Sequence, residues 1–223
     1  MQSAALVILS WFVSASMLMW AGTASGAELR TRVVDHEGRA VPDAVVAAKP
    51  LTPGAAPHAK PRDEMVEQID KEFIPRVKSV PLGSLVHFPN RDNVQHQVYS
   101  FSPAKKFELP LYAGTAAPPV LFDKPGVVTL GCNIHDWMIG YIYVADTPYA
   151  ATTGKEGTAF LRDLPPGEYE VRVWQPNMAE PEQSTLKRVT LAKSGFAEVE
   201  WRITLKPAFK IRRAPAAGRG AYR

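Results

Sequence analysis

The chain has 223 residues, with 26 basic and 22 acidic side chains and a formal net charge of +4. Hydrophobic residues make up 46%, enough for packed cores, which excludes wholesale disorder. A single cysteine, Cys132, excludes an intrachain disulfide framework and a multi-thiolate zinc site.

Residues 1–27 carry no charged side chain. An apolar run from Ala4 to Trp20 gives way to small residues ending in Ser25-Gly26-Ala27, a pattern that predicts a signal peptide cleaved before Glu28. The segment before the run, Met1-Gln2-Ser3, lacks Lys and Arg, so an uncleaved membrane anchor is the alternative. Either way the rest of the chain is expected to be exported, to the periplasm. It has no second apolar run of spanning length, so a soluble mature protein is expected.

After residue 28 no long amphipathic helical period occurs. Short alternating or β-branched runs lie between turn residues and predict strands at 29–34, 41–48, 73–77, 84–88, 95–101, 127–131, 140–144, 158–161, 169–174, 185–191 and 197–205. Residues 65–71 read as one short helical turn. Residues 50–61 hold four prolines and a glycine and read as a linker. The pattern predicts an all-β chain of sandwiches or barrels. The basicity is confined to the end: residues 206–223 hold six Lys or Arg and no acid, leaving 20 basic against 22 acidic residues elsewhere. That stretch reads as a disordered tail, either simply solvated or adhering weakly to an anionic membrane surface. It lacks interleaved aromatics, and no nucleic-acid partner is expected.

The chemistry is concentrated in Cys132-Asn133-Ile134-His135-Asp136-Trp137-Met138. A thiolate, an imidazole and a thioether at Cys-x2-His-x2-Met spacing favour copper over hard cations. A type 1 copper site also needs a second imidazole. His96 is the candidate, placed after the polar turn Asn90-Arg91-Asp92-Asn93 at the start of a strand. The expected centre is one copper held by His96, Cys132 and His135, with Met138 as a weak axial ligand. Each residue has an ordinary alternative: Cys132 and Met138 as core packing, His96 as a loop histidine bonded to backbone. His87 is the reserve ligand, and His36 and His58 read as structural or solvated.

The ordered set Phe122-Asp123-Lys124-Pro125-Gly126, Cys132, His135, Met138 and Gly140 resembles the cupredoxins, plastocyanin and amicyanin above all. Ser84-Leu85-Val86-His87-Phe88-Pro89-Asn90 before His96 is similar to that family's first ligand strand. The wider phrasing looks like exported plastocyanin-like proteins often labelled methylamine utilisation proteins. The resemblance implies a cupredoxin Greek-key β-sandwich with one type 1 copper. In plastocyanin-like chains an Asn follows the first histidine and braces the copper loops; here that position is Gln97. A second resemblance surrounds this segment. Arg32-Val33-Val34-Asp35-His36-Glu37-Gly38 with Pro42-Asp43-Ala44-Val45-Val46, and later Leu164-Pro165-Pro166-Gly167-Glu168-Tyr169, resemble the transthyretin-like carboxypeptidase regulatory-like module. The implied organisation is a signal peptide at 1–27 and first sandwich strands at 28–50. A linker at 51–63 and a cupredoxin domain at 64–147 follow. The rest of the sandwich lies at 151–206 and the tail at 207–223. The rival arrangement pairs 28–50 with the cupredoxin strands.

Three function classes follow. The first is an electron carrier, exchanging single electrons with transient redox partner proteins and acting on no small-molecule substrate. The second is a copper-binding or delivery protein, for which the sequence supplies no methionine-rich tract, since only Met65, Met138 and Met178 lie beyond the apolar start. The third is a non-catalytic β-sandwich binding module. No enzyme is expected, because His36, His58 and His87 are too scattered to build further copper centres.

Overall fold

A computed structural model of the protein describes residues 26–55, 59–115 and 117–207. The expected signal peptide, save Gly26 and Ala27, lies outside these residues, as do His58 and the tail beyond Pro207. Among the described residues no helix is long and apolar enough to cross a membrane.

The chain is all-β. Its strands are β1 (Ala27–Asp35), β2 (Val45–Pro50), β3 (Asp63–Met65), β4 (Glu67–Ile69), β5 (Glu72–Ile74), β6 (Val77–Pro81), β7 (Ser84–His87) and β8 (His96–Ser102). They continue as β9 (Lys105–Tyr112), β10 (Val120–Phe122), β11 (Gly126–Gly131), β12 (Ile139–Ala145) and β13 (Tyr149–Thr152). The last four are β14 (Thr158–Leu164), β15 (Gly167–Trp174), β16 (Lys187–Leu191) and β17 (Phe196–Ile203).

The middle strands build one sandwich. A five-stranded sheet in the order β6-β12-β11-β8-β9 and a three-stranded sheet β10-β7-β3 enclose Val86, Phe88, Val98, Phe122, Leu130 and Ile142. The outer strands build the second. Sheets β14-β1-β17 and β13-β2-β15-β16 enclose Leu29, Val33, Val46, Leu164, Tyr169, Val171 and Trp201. Alternation explains the inward set on β15: Tyr169, Val171 and Val173 are buried, while Glu168, Glu170 and Arg172 between them are less so. Segment 28–50 pairs with the later strands. Leu29 lies opposite Leu161, Val33 lies beside Trp201 in a parallel pair, and Val46 lies opposite Val173. A two-stranded hairpin is marginal alone, and these pairings give β1 and β2 a sheet each.

Several elements depart from the sequence expectation. The helical turn expected at 65–71 is instead the end of β3, strand β4 and a tight turn into β5. Asp70 and Lys71 both have positive φ, 53° and 60°, the conformation of a two-residue hairpin turn that matches strand twist. The strand expected at 41–48 begins only at Val45, and Asp43 just before it has φ 58°. Residues 182–185 form a short 3-10 turn before β16, which begins at Lys187. The strand expected at 73–77 is split between β5, which ends at Ile74, and β6, which begins at Val77, and strands β9, β10 and β13 have no counterpart in the expected set.

The two sandwiches meet across β2, β6 and β12, where Val45, Ala47, Val77, Tyr143 and Ala145 are buried together with part of Trp174. A polar network borders this seam. Arg172 Nε donates to Glu182 Oε1 at 2.7 Å, Lys49 Nζ donates to Asp146 Oδ2 at 3.1 Å, and Arg172 Nη2 donates to Asp146 Oδ1. Burial pushes the Asp146 carboxyl up, but Arg172 and Lys49 outweigh it and hold it below the usual range. A carboxyl lowered on folding stabilises the fold above its unfolded pKa, about 4, and loses that contribution as pH falls through the folded value. The wild-type protein is therefore expected to exceed Asp146→Asn in stability at pH 7, with the gap closing as pH drops below about 4. Paired urea titrations at pH 7 and pH 3 check this; a gap of equal size at both would contradict it.

Candidate metal centre

Strand β11 ends at Gly131, and Cys132 follows it as the chain turns away from the sheet. The turn is closed by the Met138 amide donating to the His135 carbonyl at 2.9 Å and the Ile139 amide to the Trp137 carbonyl at 3.0 Å. Residues 132–138 thus form one compact loop between β11 and β12, which brings Cys132 and His135 to the same end of the sandwich. His96 opens β8, whose residue Tyr99 lies opposite Gly131. The Tyr99 ring packs over Gly131: a Cβ there would lie 2.8 Å from Tyr99 Cζ, so a larger residue would displace the ring. This close approach of β8 to β11 sets His96 beside Cys132.

The ligand-type atoms converge. Cys132 Sγ is 3.8 Å from His96 Nδ1 and 3.8 Å from His135 Nδ1. All three atoms lie within 4.8 Å of one another, and the two rings approach at 4.9 Å between centroids. The donor set fits a single first-row ion. With bonds of about 2.3 Å to sulfur and about 2.0–2.1 Å to nitrogen, a sulfur and a nitrogen ligand about 120° apart stand roughly 3.8 Å from each other. His96 is fully buried, Cys132 and Met138 nearly or wholly so, and His135 is partly exposed. Met138 belongs to the same buried cluster as Cys132. His87 lies on β7 and is not among the converging residues, and His36 is solvent-exposed beside Glu37.

The electrostatics favour neutral imidazole on the exposed side. Burial, the largest cause, pushes the His135 pKa down, Lys71 adds to it, and Asp92 opposes them only in part. A neutral ring keeps a lone pair for a metal. Tyr112, opposite His96 in the ladder, is pushed up to about 12, chiefly by burial. It remains a phenol whose hydroxyl donates to the Phe88 carbonyl and accepts from Gln68 Nε2 at 2.6 Å.

Sequence reasoning missed what holds His96. Its Nε2 is 2.7 Å from Asp92 Oδ2. The same carboxylate accepts the amides of Asp70 at 2.7 Å and Lys71 at 2.9 Å, from the positive-φ turn between β4 and β5. Asn90 Oδ1 accepts the Asp92 amide at 2.9 Å, and Asn90 Nδ2 donates to the carbonyls of Val94 and Tyr112 at 2.8 and 2.9 Å. Burial pushes the Asp92 carboxyl up, but the His96 hydrogen bond and the two amides hold it below the usual range. Gln97 takes no part: its amide donates to Glu108 Oε1 at 2.6 Å on the exposed side of β8 and β9. Asn90, six positions before the histidine, holds the 90–94 loop through these bonds. The only sequence signal for this set was the polar run from Asn90 to Asn93.

The partly exposed His135 is flanked by Ile134 and Trp137, with exposed Asn133 and Asp136 beside them. The Trp137 ring lies 5.1 Å from that of His135, and Ile134 is 50% exposed. A groove lined by Tyr99, Phe101, Cys132, Asp136 and Met138 opens beside the loop.

No protein-family model and no curated protein matches the chain. Among solved structures, 44% of the chain is similar to a copper-containing nitrite reductase from Thermus scotoductus SA-01, at 26% identity and a TM-score of 0.36, and spans only 25% of that chain. A purple cupredoxin from Nitrosopumilus maritimus is similar over 36% of this chain and 96% of its own, at 22% identity and a TM-score of 0.32. A reduced amicyanin variant is similar over 44% of this chain and 98% of its own, at 19% identity and a TM-score of 0.34.

Proposed function

We propose that the middle sandwich, residues 64–147, is a cupredoxin domain. His96, Cys132 and His135, with Met138 as a weaker fourth ligand, would hold one type 1 copper ion there. The domain serves as a periplasmic carrier of single electrons. The observation that carries this reading is the approach of one cysteine sulfur and two imidazole Nδ1 atoms in a site closed on the His96 side and open on the His135 side. Copper, when bound, supplies a one-electron couple.

The chain's own residues do the rest. The β-sheets and the short loop hold the ligands in one arrangement, so little reorganisation accompanies a change of oxidation state. Buried Phe88, Leu130 and Ile142 exclude water from the inner side. The His135 ring is the edge through which a partner makes contact, and Ile134 and Trp137 are the apolar side chains beside it on which the partner docks. Redox encounters need only a small, transient interface. The carrier performs no catalysis on a small molecule and binds no nucleic acid. In this reading the outer sandwich is a regulatory-like module that carries the copper domain, and the basic tail adds weak contact with an anionic surface.

A delivery role has one observation in its favour. Met65, 46% exposed, lies in register beside His87 on the neighbouring strand, a thioether and an imidazole at the surface. Voltammetry of the copper-loaded protein separates the two. A carrier gives one reversible one-electron wave and keeps its copper through repeated cycles. Loss of the metal to a Cu(I) chelator on each reduction would contradict the carrier reading.

A further inference from the structure

Asp92 is not a ligand by position, yet it is the most heavily committed carboxylate near the centre. It meets the buried Nε2 of His96 at 2.7 Å and takes two backbone amides from the β4–β5 turn. Its side chain is only 12% exposed. An ionised carboxylate accepts hydrogen bonds and cannot donate them, so Nε2 of His96 must carry the proton. In the neutral ring the other nitrogen, Nδ1, then keeps its lone pair, and it is the atom that faces Cys132 Sγ. The turn is shaped for this task. Asp70 and Lys71 both adopt the left-handed conformation, which aims their consecutive amides at the carboxylate.

We propose that Asp92 is the positioning residue of the centre: it fixes His96 as the Nε2–H tautomer with Nδ1 turned to the metal, and its charge favours the oxidised over the reduced ion. The second half rests on the copper reading; the first stands on the copper-free protein. A carboxylate bonded to a ligating histidine raises the basicity of the ring and holds its orientation. A fixed negative charge close to the centre stabilises Cu(II), the more highly charged state, more than Cu(I). The β4–β5 hairpin is thus an anion cup whose purpose is to seat this carboxylate.

Three measurements decide the matter. The first is nitrogen-15 NMR of the copper-free wild-type protein at neutral pH, which needs no variant to fold. It is expected to show His96 protonated at Nε2 and bare at Nδ1; the opposite tautomer, a rapid mixture, or a ring protonated at both nitrogens would overturn the positioning claim. The second is copper affinity. Asp92→Asn cannot satisfy the histidine and both amides together, and it is expected to bind Cu(II) about 10–100-fold more weakly than wild type. Unchanged affinity in a folded variant would overturn the claim. The third is the potential. Asp92→Asn is expected to lower the ratio of Cu(II) to Cu(I) affinity about tenfold, read as an upward shift of about 59 mV, whereas Asp92→Glu, which keeps the charge, stays close to wild type. A potential equal in all three proteins would overturn the charge claim. Wild-type protein that binds no copper would overturn the copper reading and the charge claim with it, while the tautomer still judges the positioning of His96.

Discussion

Replacement of Cys132 by serine is expected to abolish the intense visible band of the Cu(II)-loaded protein and leave the fold intact. The band expected of the wild type arises from charge transfer between thiolate sulfur and copper. A serine hydroxyl at Cys132 is a hard ligand that stays protonated and offers no such transition. The substitution changes little else, because the side chain is nearly isosteric and sits at the end of β11, 3% exposed. Burying a hydroxyl there costs about 1–3 kcal/mol at most, and the neighbouring imidazoles offer it partners. Absorption and circular dichroism on the same sample check both halves. A retained band would refute Cys132 as the ligand, and an unfolded variant would show that its role is in the core.

The second large effect falls far from the metal. Trp201 is the largest fully buried side chain of the outer sandwich, and its Nε1 donates to the Thr185 carbonyl at 2.7 Å. Trp201→Ala is expected to cost about 3–5 kcal/mol, through lost transfer energy, the cavity left behind and an orphaned carbonyl. If the two sandwiches are separate folding units, the outer one melts first while the copper chromophore persists at 25 °C. Thermal melts followed in the far ultraviolet and at the visible band resolve the two events. Simultaneous loss of both signals at a single lowered midpoint would show that the seam at Val45, Val77 and Tyr143 makes the chain one cooperative unit.

The all-β class was legible because most strands alternate strongly. Residues Tyr169, Val171 and Val173 announce a buried face, and the Pro-Pro-Gly turn before them marks where β15 begins. The missed strands lacked those signals. Strand β9 is mostly exposed and contains Pro110, as an edge strand tolerates, and β10 is three residues long. The hairpin at 67–74 was misread because its turn is Asp70-Lys71, where a glycine would ordinarily signal positive φ.

The site was legible to an unequal degree. Cys132 and His135 are three residues apart, so a short loop brings them together almost whatever surrounds it. His96 is 36 residues from Cys132, and only the pairing of β8 with β11 places it there. Asp92, Asn90 and the Asp70-Lys71 turn could not be assigned a role from sequence. The Asp92–His96 and Asn90–Asp92 bonds are local, but the amides of Asp70 and Lys71 reach Asp92 only because β4 and β5 fold back against the loop before β8, and no local spacing encodes that.

One equivalent of Cu(II) added to the purified protein, followed by visible and electron paramagnetic resonance spectra, tests whether these residues form a type 1 copper centre. An intense blue or green band with a narrow copper hyperfine splitting is the result expected here. A colourless protein that binds copper tightly would leave a storage or delivery site, and a protein that binds none would contradict the copper reading and leave a β-sandwich binding module.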